Sequence, residues 1–173
     1  MTSAITGVAS EPLLLQEYVH GNCRGCMKIK ILSHQEYAGA ILRKPTDEVK
    51  FPLSDENNII LDNMIKVMYQ AKGIGLAANQ IGYNRRMFVM DTSNEKNSPQ
   101  VFINPIVKSK NNIKMPDTEG CLSCPGEEVK VSRSMSVNLE WTCRHGLQGH
   151  AVAGGRALQG VQKMGSCDQL SSR

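Results

Sequence analysis

The spacing of apolar positions changes several times along the chain. Over residues 54–72, Ile60, Met64, Met68 and Ala71 fall in one stripe, with Leu61 and Ile65 beside it. That is the 3.6-residue period of an amphipathic helix. Ser54 stands where an N-cap belongs, Asp55 and Glu56 fill the first turn, where the helix dipole favours acids, and Gly73 follows as a stop. The methionines of the stripe read as core packing. "MFVMD" (87–91) and "VFINPIV" (101–107) are short apolar runs that predict buried strands. From Val129 the chain alternates. Val129, Val131, Met135, Val137, Leu139 and Trp141 face one way, and Lys130, Ser132, Ser134, Ser136, Asn138 and Glu140 the other. Arg133 is the exception on the apolar side, and the whole predicts a sheet with one wet face.

Neither end of the chain keeps such a pattern. Residues 1–26 have no sustained period and predict a disordered N-terminal extension; Met27 opens the alternating "MKIKIL" and would serve as an internal start. Residues 27–141 are the expected domain. Residues 142–173 hold six glycines, at 146, 149, 154, 155, 160 and 165, and no apolar periodicity, so they are expected as an atypical Gly-rich tail with no assignable element.

Composition narrows the class. With 173 residues, 40% hydrophobic and 21% charged, the chain is long enough for one domain with a real core. A net charge of +4, without clustering, does not argue for DNA binding. No apolar run approaches a membrane span, and the N-terminus lacks a basic start followed by an apolar stretch, so a cytoplasmic protein is expected. In that compartment six cysteines are expected to be reduced, buried or metal-bound rather than disulfide-paired.

Two segments between the predicted elements carry chemistry, "GIGLAANQIG" (73–82) and "EGCLSCPG" (119–126). The first superficially fits a dinucleotide fingerprint, but it follows a helix and precedes a strand, the reverse of what that fingerprint needs. Its small residues let something approach the backbone closely, and Gln80 offers an amide nearby. In the second, Cys121 sits behind an acid and a glycine, with Pro125-Gly126 as a closing turn. Three roles are open to it: a structural thiol, which an apolar run would suit better; one of four zinc thiolates, with Cys124, Cys23 and Cys26, in a small zinc-binding module; or the thiolate ligand of a catalytic metal, with the Leu122 N–H beside it as an oxyanion donor.

The two segments, in this order and roughly forty residues apart, resemble the first two signature motifs of the peptide deformylases. The helix before them, "LRKPTDEV" (42–49) and "FINP" (102–105) are similar to that family too. The resemblance implies an α+β fold, a mostly antiparallel sheet packed around a helix. It implies removal of the formyl group from the N-terminal formyl-methionine of nascent proteins, with those peptides, and the ribosome surface they emerge from, as partners. A divalent metal, Fe2+ or Zn2+, would supply the chemistry. By position, Cys121 would be the metal's thiolate ligand, Gln80 and the Leu122 N–H would polarise the formyl oxygen, and Gly73, Ile74, Gly75, Glu119 and Gly120 would line the substrate path.

The family's third motif, H-E-x-x-H, is missing from this sequence. His145 and His150, in "RHGLQGH", are the remaining candidate ligands. Their i, i+5 spacing would place them about 140° apart on a helix, and no glutamate follows His150. Two accounts fit the break: an inactive relative that binds formyl-methionyl peptides, or a reading frame shifted after about residue 148. Codon degeneracy permits the codons of "AGGRA" (153–157), read one nucleotide later, to spell Gln-Glu-x-Glu-His.

Overall fold

The structure, a computed structural model, describes residues 17–18, 29–33 and 39–154. In chain order the elements are β1 (Glu17–Tyr18), β2 (Ile29–Lys30), α1 (Gly39–Arg43), α2 (Asp55–Gln70), β3 (Gly75–Ala77), a 3-10 turn (Ala78–Ile81), β4 (Met87–Met90), β5 (Gln100–Lys110), β6 (Lys114–Cys121), β7 (Cys124–Ser134), β8 (Ser136–Thr142) and β9 (Gln148–Gly154). β3, β4, β5, β8 and β9 form one antiparallel sheet in that order, while β6–β7 and β1–β2 are separate two-stranded pairs. This is the expected α+β architecture. β1 lies within the stretch expected to be disordered, yet it pairs with β2.

Helix α2 forms for the reasons its sequence gives. The Ser54 side chain accepts from the Asn57 N–H, and Asp55 and Glu56 occupy the first turn. Its stop differs from the expected one. Lys72, not Gly73, takes the left-handed conformation, and the Lys72 and Gly73 N–H groups donate to the carbonyls of Tyr69 and Met68, the two bonds of a Schellman motif. Gly73 is small for another reason: a Cβ there would lie 2.7 Å from Cδ1 of Leu122.

The buried stripe of α2 (Ile60, Leu61, Met64, Val67, Met68) packs on Leu76, Met87, Val89 and Ile103 of the sheet. Each such side chain removed from water contributes about 1.5–3 kcal/mol. All four residues of β4 are buried because the strand has apolar matter on both sides. Met87 and Val89 face α2, whereas Phe88 and Met90 join a second cluster with Ala77, Phe102, Val137, Leu139 and Ala153. There Phe88 stacks on its register partner Phe102 at 4.6 Å, and Trp141 leans on Phe102 at 4.9 Å. At Asn104-Pro105 the register of β5 to β8 shifts and Asn104 has φ 49; proline is tolerated within a sheet at such an irregularity.

The alternation from Val129 to Trp141 is two strands, not one. It breaks at Met135, and only the second half reaches the core: Val137 and Leu139 are 1% and 3% exposed, Val129 and Met135 56% and 50%. Alternation records a pleat, and it is the same whether or not another layer covers the apolar side. Beyond Trp141, where no element was assignable, Gln148–Gly154 adds a fifth strand to the sheet.

Candidate functional site

The 3-10 turn after β3 buries Ala78, Asn79 and Gln80. The Gln80 carboxamide is fixed at both ends. Its Oε1 accepts from the Ala77 N–H at 2.9 Å, so its NH2 faces the other way. Nε2 donates to Ser123 Oγ at 3.1 Å and points at Cys121 Sγ at 3.8 Å. The two chemistry-bearing segments thus meet, Gln80 to Cys121 through hydrogen bonding and Gly73 to Leu122 through close packing. The missing side chain of Gly73 lets Leu122 seat against the core.

The segment around Cys121 differs from its expected shape. Cys121 ends β6 and Cys124 begins β7, directly opposite each other, so the turn is Leu122-Ser123. Pro125-Gly126 lies inside β7, with Gly126 at φ 80. Cys121 and Cys124 are half-buried thiols. Glu119 and Gly120 lie on β6, opposite Val129 and Glu128. The Glu119 carboxylate is gripped from two sides by Arg133, Nε to Oε1 at 3.0 Å and Nη2 to Oε2 at 2.9 Å. The one charge on the apolar side of the alternation is therefore a clamp on the site strand, a two-pronged geometry that arginine suits.

Gly75 opens β3, an edge strand of the sheet, opposite Met90, and Ile74 immediately precedes it. The Ile74 carbonyl accepts from the Asp91 N–H at 2.9 Å. Burial pushes the Asp91 carboxyl up, but hydrogen bonds from Ser93, the Tyr69 hydroxyl and the Ser98 N–H outweigh it and hold the group down at about 2. Burial, with Asp91 as acceptor 2.6 Å away, pushes the Tyr69 hydroxyl up to about 12. This network ties the end of α2 to the backbone beside Ile74. Neither it nor Ser123 was anticipated from sequence; the isolated Arg133 was the one visible signal of the Glu119 clamp.

His145 and His150 are exposed. His145 sits in the Cys143–Leu147 turn, whose Arg144 bonds Asn58 and Asp62 of α2; His150 lies on β9 opposite Glu140. Among the described residues no three His, Cys, Asp or Glu side chains converge to hold a metal ion. Cys23 and Cys26 lie outside the described residues. The described donors at the site, Cys121 with Cys124 opposite, do not fit a catalytic iron or zinc, which takes three protein ligands and an open position. No described helix is long and apolar enough to cross a membrane.

An α+β frame that joins a Gln-bearing 3-10 turn to a Cys-Leu hairpin defines the class, and the comparisons give the family. The family model for polypeptide deformylase matches residues 29–163, past the Trp141 limit expected from sequence. The chain is 41% identical over 103 residues to a peptide deformylase of Xylella fastidiosa, covering 60% of each. It is 40% identical over 114 residues to one of Azotobacter vinelandii, covering 66% of this chain and 67% of that one. Its fold matches the Synechococcus elongatus peptide deformylase crystallised with actinonin, with a TM-score of 0.75 and 30% identity over 80% of this chain and 74% of that one. The Thermotoga maritima peptide deformylase matches with a TM-score of 0.73 and 29% identity, over 80% and 90%. The chain belongs to the peptide deformylase family, a family of metalloenzymes. It spans about three fifths of the length of the curated relatives it matches.

Proposed function

We propose that the site joined by Gln80 and Cys121 is a deformylase-type centre for the N-formyl-methionyl end of nascent peptides in the cytoplasm. The observation that carries the proposal is the Gln80 amide, buried, oriented by the Ala77 N–H and aimed at Cys121 and Ser123. A formyl oxygen placed there would take the one amide hydrogen that points toward Cys121, the other staying on Ser123 Oγ, together with the Leu122 N–H, as donors. The edge strand β3, with Gly75 in it, supports docking of the peptide as an added strand. Glu119, held by Arg133, and Gly120 keep the Cys121 hairpin in place beside that path.

A bound divalent metal would supply a water of lowered pKa for hydrolysis of a formyl amide. Here Cys121 stands without the two imidazoles and the glutamate of the third motif, so no hydrolytic step is assigned to these residues. The chain as it stands is proposed to bind formyl peptides and not to turn them over. Calorimetric titration with a formyl-methionyl tripeptide and its unformylated counterpart tests the site. The formylated peptide is expected to bind more tightly, and Gln80→Ala to remove about tenfold of its affinity, roughly 1.4 kcal/mol. Equal binding of both peptides would end the proposal.

A further inference from the structure

We propose that Cys121 and Cys124 are a modification site, closing into a reversible intramolecular disulfide that takes the site thiol out of use. The inference rests on the hairpin alone and stands or falls separately from the formyl-peptide proposal. The two cysteines are register partners across a two-residue turn, Leu122-Ser123. The ends of such a four-residue turn lie within about 7 Å, and a disulfide spans Cα atoms about 4.4–6.8 Å apart. Directly opposite residues on a hairpin present their side chains on one face, and the pair keeps this register beside a shift between Gly120 and Cys121. Both are thiols and both are half-buried, so a small oxidant can reach them. Cys143, the other described cysteine, lies at the turn before β9.

The step balances with a small-molecule disulfide such as glutathione disulfide as oxidant. One protein sulfur bonds to a sulfur of the oxidant and expels the first small thiol. The second protein sulfur then displaces the other half. Two electrons pass from the cysteine pair to the oxidant, and both thiol protons leave on the two released small thiols. The oxidised Cys121 sulfur is no longer a thiolate donor for any metal. A reducing thiol reverses the sequence.

The full chain, first reduced, is incubated in mixtures of glutathione and glutathione disulfide, quenched with N-ethylmaleimide and digested with trypsin. The peptide from Met115 to Lys130 contains Cys121 and Cys124 as its only cysteines. In the oxidised mixtures it is expected to be lighter by two hydrogens and to carry no maleimide; dithiothreitol restores both alkylation sites. In Cys124→Ser the peptide instead gains a glutathione on Cys121, and half-oxidation is expected to need at least about tenfold more glutathione disulfide, because the intramolecular partner is gone. Two alkylated cysteines in the wild-type peptide under oxidation would overturn the proposal. So would glutathione adducts without closure, or equal sensitivity of Cys121 in wild type and Cys124→Ser.

Discussion

Asp91 and Tyr69 show how a few polar atoms fix the backbone beside the site. The carboxylate is buried, and it stays ionised because Tyr69, Ser93 and Ser98 supply its hydrogen bonds. Its value in the fold, about 2, lies below its ordinary 3.8. The folded state therefore prefers the ionised form, and the stability it contributes is present above 3.8 and lost as pH falls through about 2. For Tyr69 the sign is opposite: its contribution is whole below 10 and is lost as pH rises through about 12. Tyr69→Phe is expected to lower the free energy of unfolding at neutral pH by about 1.5–3 kcal/mol, the range for a hydrogen bond to a charged group. Asp91→Asn is expected to flatten the acid limb of the stability curve between 3.8 and about 2. Urea unfolding followed across pH measures both; an acid limb unchanged in Asp91→Asn would contradict the assignment. At this scale the sequence was half legible. Gln80 and Cys121 stood out because each sits in a segment whose apolar spacing predicts no helix or strand. Ser123 did not, and Arg133 stood out only as a misplaced charge, because their partners lie 43 and 14 positions away.

Elements were legible where local signals agreed. Helix α2 has a cap, first-turn acids and a clean period, and it forms within two residues of its expected ends. β9 was hidden because its glycines look like strand breakers. Gly149 in fact faces Trp141 on β8, and a Cβ there would lie 2.5 Å from the indole ring. The strand keeps its place because the ring needs that gap. Gly149→Ala is expected to force a shift and cost about 1–3 kcal/mol, as overpacking does; a thermal melt unchanged from wild type would show that the contact is slack. The opposite error joined β7 to β8. Their alternation runs on in sequence, but β7 pairs with β6, leaving Met115 and Val129 half-exposed beside the Glu119–Arg133 pair, while β8 enters the main sheet.

At the scale of the whole molecule, the described residues are the peptide deformylase frame with its first two motifs brought together, and the third motif is absent from the sequence. The frame was legible as a resemblance, although its extent was not, since the family match continues to residue 163. The frame survives without the motif because the core does not depend on it. α2 packs on one side of β3, β4 and β5, and the stacked Phe88, Phe102 and Trp141 lie on the other. Fold and chemistry are separable: the described scaffold has its core, while the H-E-x-x-H string is absent from the sequence. The most direct test is release of formate from a formyl-methionyl peptide, with ferrous iron added under anaerobic conditions, set against a Cys121→Ala control. Formate release indistinguishable from the control is the expected result. Turnover well above it, lost in Cys121→Ala, would contradict the account and show that this chain completes its metal site with donors not assigned to it here.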